Sequence, residues 1–129
     1  MILTPLINAW QGLAFELICL THLDQIKNAL GISGIATKST VWRNKDMQID
    51  LIIDRADRII NLCEIKFSIE KYSITKEYAE KLRERMSYFR EAVRTKKSLI
   101  NTFITTYGIL QNKNSAICQS EVTMDRLFS

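Results

Sequence analysis

The sequence predicts an α/β domain, a mixed β-sheet flanked by helices, with residues 1–129 forming one unit. Three observations carry this. At 129 residues and 47% hydrophobic composition the chain can build one sizeable core but not two. Its patterns run in the order helix, three strands, helix, strand, strand, short helix, which suits helices packed on a mixed sheet. No repeat, Pro-rich linker or low-complexity tract interrupts that order.

Thr4 followed by Pro5 reads as an N-cap and first-turn proline. Leu6, Leu13, Leu17 and Leu20 then keep an approximately helical period, predicting one helix, with a break near Gly12, that ends at Gly31. After the glycines of "GISGIATKSTVWR" come β-branched residues, so a loop should lead into a strand at 36–43, followed by a turn at "NKD". Residues 48–54 and 59–67 are Ile- and Leu-rich runs around charged "RADR", the pattern of two buried strands in a hairpin. Thr75 is the expected N-cap of a second long helix reaching Lys96, with Tyr78, Leu82, Phe89 and Val93 on one face. "NTFITTYGIL" and "SAICQSEV" read as strands, and Thr123 as the cap of a small final helix.

No apolar run approaches the roughly 18 residues of a membrane span, and the start lacks a signal-peptide pattern, so the expected address is cytoplasmic, with no membrane partner. Cys19, Cys63 and Cys118 are odd in number and set among apolar neighbours, which predicts reduced core thiols without chemistry. The net charge of +4 lies in the second half: residues 1–66 hold seven basic and seven acidic side chains, and residues 67–129 hold eleven and seven. A basic surplus suits a polyanionic partner without establishing one.

The most strand-like stretch, "QIDLIIDRADRIINLCEIKF", contains Asp50 and Glu64 and ends on the only Glu-x-Lys of the chain. A hairpin symmetric about Asp57 pairs Asp50 with Glu64, Ile52 with Leu62 and Gln48 with Lys66, while Asp54 faces Ile60. Opposed residues share a face with Cβ atoms about 5 Å apart. Two ionised carboxylates at that separation repel by roughly 3 kcal/mol at an effective dielectric near 20. Lys66 offsets part of this, and a divalent cation using both acids as oxygen ligands would offset the rest. Such a site suits phosphodiester hydrolysis, with the lysine serving the attacking water. The competing reading is a structural Glu-Lys-Asp charge cluster.

These residues resemble the PD-(D/E)XK nuclease superfamily, with Asp50 as the first motif acid and Glu64-Ile65-Lys66 as the second motif. Within it the chain is most similar to the nuclease-like C-terminal region of prokaryotic AAA-type ATP-binding proteins, through "FELICLTHLDQIKNALGI", "QIDLIIDR", "NLCEIKFS" and "ITTYG". The resemblance covers nearly the whole chain and implies a restriction-endonuclease-like core. It also implies that Asp50, Glu64 and the Ile65 carbonyl hold Mg²⁺ or Mn²⁺, with Glu16 on the first helix assisting and Lys66 serving the water. Gln48 and Ser68 are implied as secondary contacts. The proline that precedes the family's aspartate is Ile49 here, a variation expected to keep the strand regular. No Gly-x4-Gly-Lys-Ser/Thr loop is present, so the chain would be a fragment or a stand-alone version of such a region. Hence two expectations: a metal-dependent domain acting on DNA or RNA, or a catalytically idle module that docks nucleic acid, a protein or an ATPase domain.

The second long helix is basic, and its end, Arg94, Lys96 and Lys97, is the expected nucleic-acid contact, since cations there also complement the helix dipole. Glu77 with Lys81 and Glu91 with Arg94 are alternatively ordinary surface pairs. His22 lacks the paired spacings of a zinc site and is expected to be a half-buried helix residue. Trp10 and Trp42 are expected in the core.

Overall fold

The structure, a computed structural model, describes residues 3–128, and side chains from residue 5 onward. The first helix already runs from Leu3, so Thr4 is a helical residue rather than the expected cap. Helix α1 (Leu3–Leu20) passes through Gly12 without a break. The interruption comes instead at Thr21 and His22. The Thr21 hydroxyl donates to the carbonyls of Leu17 and Ile18, at 3.1 and 3.0 Å, and His22 Nδ1 bonds Ile18 O at 2.7 Å. Side chains thus occupy the last carbonyls of α1, and a new helix, α2 (Leu23–Ala29), starts after the turn. It ends as predicted at Gly31, whose φ of 75° suits a residue without Cβ. Gly31 N–H donates to Asn28 O and Ile32 N–H to Lys27 O, a Schellman cap.

α1 turns Phe15 and Cys19 to the core, and its other stripe outward. Leu6, Leu13, Leu17 and Trp10 are exposed, Trp10 by 69%, against 2% for Phe15. The leucine period found a genuine stripe but not the buried one, and Trp10 is not a core residue. Trp42 is half-buried and meets the Phe89 ring edge-on at 5.5 Å. His22 is half-buried between the helices, as expected.

β1 (Thr37–Arg43), β2 (Gln48–Arg55), β3 (Ile59–Lys66), β4 (Ser98–Thr105) and β5 (Ser120–Thr123) form one sheet in that order. The first three are antiparallel neighbours, and β3–β4 and β4–β5 are parallel. A parallel pair needs a crossover; between β3 and β4 it is α3 (Lys76–Val93). Thr75 Oγ1 accepts the Tyr78 N–H at 3.1 Å, the predicted cap. α3 stops three residues before Lys96, because Arg94 turns left-handed (φ 56°). Arg90 then pins the exit by donating to the carbonyls of Thr95 and Lys97, each at 3.1 Å.

Alternation on β3 and β4 sends side chains to both helical layers. Cys63, Ile65 and Ile104 pack with Phe15, Cys19 and Ile26. Ile60, Leu62 and Leu99 pack with Phe89, and Phe103 with Ala79 and Leu82. Parallel, doubly covered strands explain the near-continuous hydrophobic runs. β4 covers 98–105 rather than 101–110, since Thr105 Oγ1 accepts the Gly108 N–H at 2.8 Å in a turn where Gly108 has φ 95°. "SAICQSEV" splits into a 3₁₀ turn (Ser115–Ile117) and the short β5. The final helix is a 3₁₀ helix (Met124–Leu127) without a side-chain cap, because the Thr123 hydroxyl engages the Asp125 carboxylate. Among the described residues no helix is long and apolar enough to cross a membrane.

Candidate active site

The β2–β3 register is the one the sequence implies: Ile52 opposes Leu62 and Asp54 opposes Ile60, the ladder ending at Leu51 and Cys63. One step further lie Asp50 and Glu64, where backbone pairing gives way to a side-chain bond. Asp50 Oδ2 accepts the Ile65 N–H at 2.9 Å.

A β-bulge causes the change. On β1, Thr40 opposes Ile52 and Trp42 opposes Ile49, so Asp50 and Leu51 together face Val41. An extra residue re-aims side chains and disturbs the ladder. The alternation slips, so that Ile49 and Ile52 join one apolar cluster, and Asp50 becomes free to reach β3. Ile49 therefore does not keep the strand regular; the irregularity begins directly after it.

Glu64 lies one step beyond the last paired residue of β3, near enough to Asp50 to feel its charge. Glu64 is 7% exposed. Burial pushes its carboxyl up to about 7, against the pull of Arg85, and the neighbouring Asp50 pushes the same way as burial, with Lys66 opposing. Lys66 Nζ stands 4.9 Å from the centroid of the Tyr78 ring. The Tyr78 hydroxyl is buried, and burial and then the Glu64 charge raise its pKa.

The principal counter-charge comes from α3. Arg85 Nη1 contacts Glu64 Oε1 and donates to Gln48 O at 3.2 Å, and both side chains of the ion pair are only 9% exposed. Arg85 Nε and Nη2 are buried with no partner. Leaving such donors unsatisfied costs about 1–3 kcal/mol per group. Glu64 and Arg85 open onto a cleft of about 470 Å³ between the β1–β2 turn and α3, whose wall includes Gln48, Tyr78, Lys81 and Tyr88.

Glu16 is paired with Arg43 of β1, and among the described residues no three His, Cys, Asp or Glu side chains gather closely enough to hold an ion. Gln48 contributes its carbonyl to Arg85. Ser68 is held to Thr106, its N–H donating to Thr106 Oγ1 at 3.0 Å, while its hydroxyl donates to Glu70 O. Lys97 is committed to Asp54 at 2.6 Å and to Arg55 O at 2.8 Å, near the opposite end of β2 from Asp50; Arg94 and Lys96 are exposed. The surface pairs Glu77–Lys81 and Glu91–Arg94 do not form among the described residues, where Arg85–Glu64 is the ion pair that α3 makes. Cys19 and Cys63 are fully buried free thiols, and burial pushes Cys19 up to about 12.

Whether these groups suit a divalent cation can be judged from their donors. The bonds to Ile65 N–H and Arg85 use one oxygen of each carboxylate, leaving Asp50 Oδ1 and Glu64 Oε2 to meet an ion. Two carboxylates with waters suffice for Mg²⁺. The donor set fits, provided that Arg85 can yield.

No protein-family model matches this chain, and no curated protein does. A solved structure does match: a protein of unknown function, AF1548, superimposes with a TM-score of 0.54 at 14% identity. The match covers 86% of this chain and 64% of that one, so this chain spans less than two thirds of its neighbour's length. The likeness concerns the fold; the chemistry rests on the residues above.

Sequence reasoning missed Arg85 as a site residue by counting it among the cations of a basic helix. A signal was present. Tyr78, Leu82, Arg85 and Phe89 follow the 4-3-4 spacing of one helix face, so Arg85 is the lone cation in the buried phase.

Proposed function

We propose that this chain is a metal-dependent, nuclease-like domain that hydrolyses or engages DNA or RNA phosphodiesters at the Asp50–Glu64 pair. One observation carries the reading: a bulge and the end of a ladder bring Asp50 toward Glu64, and Glu64 lines an open cleft. Asp50, Glu64 and the Ile65 carbonyl would hold Mg²⁺ or Mn²⁺, which would polarise a phosphate and acidify water. The Ile65 N–H fixes Asp50, and Lys66, held over the Tyr78 ring, would orient the attacking water. The free buried thiols fit a reducing, cytoplasmic setting.

Asp50→Ala and Lys66→Ala should each abolish Mn²⁺-dependent cleavage of labelled DNA and RNA while retaining the parent's circular dichroism. Cleavage by both variants at the parental rate would remove the catalytic assignment. The Glu64–Arg85 pair favours a second reading, a catalytically idle module that recognises nucleic acid or docks beside an AAA-type ATPase. That module would fold normally, cut nothing, and show no metal-dependent shift in melting temperature.

A further inference from the structure

We propose that Arg85 is the phosphate-binding switch of this cleft: its guanidinium leaves Glu64 for the phosphate of an entering nucleic-acid strand, and thereby frees Glu64. The inference rests on the nuclease-like reading for its ligand, but on the geometry of Arg85 for its site.

An arginine carries five N–H donors in a planar fork matched to two acceptor oxygens. Here the fork is half used. Nη1 is engaged by Glu64 and the Gln48 carbonyl, whereas Nε and Nη2, three of the five N–H groups, meet nothing. The side chain is nine-tenths buried and forms part of the cleft wall. The strongest arginine–carboxylate pairs are bidentate, two parallel N–H···O bonds such as those the Nε–Nη2 edge can make. Glu64 instead leaves that edge vacant.

The two unpartnered nitrogens are sealed from solvent where they stand, so a ligand reaches them only if the guanidinium turns toward the cleft. The same turn breaks the contact with Glu64. The incoming group must therefore offer paired acceptors and a negative charge, as a phosphate does. The wall balances Lys45, Lys81 and Arg85 against Asp46, Glu64 and Glu84, so recognition depends on the fork rather than on a general positive field.

The test is titration of the full chain with inorganic phosphate in EDTA, followed by competition with a 12-nucleotide single-stranded DNA. The parent should bind phosphate, Arg85→Lys should weaken binding about tenfold by losing the fork while keeping the charge, and Glu64→Gln should tighten it several-fold by releasing the guanidinium. Circular dichroism checks that each variant folds. Unchanged affinity in Arg85→Lys, or no gain in Glu64→Gln, overturns the proposal. Displacement of phosphate by the oligonucleotide assigns the ligand to a strand, and absence of displacement overturns that assignment. Arg85-dependent phosphate binding without any Mn²⁺ binding would remove the nuclease reading and leave this site standing. Mn²⁺-dependent cleavage with Arg85-independent phosphate binding would do the reverse.

Discussion

Replacing Glu64 by Gln should remove a specific component of the protein's acid–base stability. An unfolded glutamate titrates near 4.5, whereas in the fold the Glu64 carboxyl is pushed up to about 7 by burial and then by Asp50, against the pull of Arg85. A carboxyl raised on folding favours the protonated native state, so its contribution is fully present below pH 4.5 and is lost as the pH rises through 7. From pH 5 to pH 8 the linkage amounts to about 2–3 kcal/mol of lost stability. At a urea slope of about 1–3 kcal/mol/M, the unfolding midpoint falls by about 1 M or more. The assay is urea unfolding in metal-free buffer at both pH values for the parent and Glu64→Gln. Other titrating groups cancel in the difference between the two proteins. The parent should lose about 2–3 kcal/mol more than the variant. Asp50→Asn should show a smaller loss than the parent, because Asp50 pushes Glu64 upward. Equal pH dependence in the parent and Glu64→Gln would refute the burial and pairing described for this carboxylate.

Removing the buried ring in Phe15→Ala should cost about 3–5 kcal/mol in urea unfolding, while Leu13→Ala, at a position 68% exposed on the same helix, should stay within about 0.5 kcal/mol. Thr75→Ala deletes the hydroxyl that accepts the Tyr78 N–H and should cost about 1 kcal/mol by the same assay. Because a carboxylate must be ionised to bind a cation, Mn²⁺ affinity measured calorimetrically should rise between pH 6 and pH 8, following Glu64. A thiol reagent should modify the half-buried Cys118 before the fully buried Cys19 and Cys63.

The sheet was legible wherever burial left a periodic trace. Doubly covered β2 and β3 announce themselves as Ile- and Leu-rich runs, and the symmetric turn at Asp57 sets their register. α1 was less legible, since it carries apolar residues on two stripes and the leucines at 6, 13 and 17 mark the exposed one. Periodicity detects a stripe but cannot say what covers it. The register that brings Asp50 toward Glu64 could be read from spacing, but the bulge at Asp50 could not, because it depends on how β1 pairs with β2. Arg85 lay in plain view at a core position of α3, hidden by the many cations around it.

Calorimetric titration of the protein with Mn²⁺ at pH 8, beside Asp50→Ala, tests most directly whether this carboxylate pair exists for an ion. The account predicts weak binding at one site, lost in the variant. Equal binding by both proteins, or none by the parent, would contradict it.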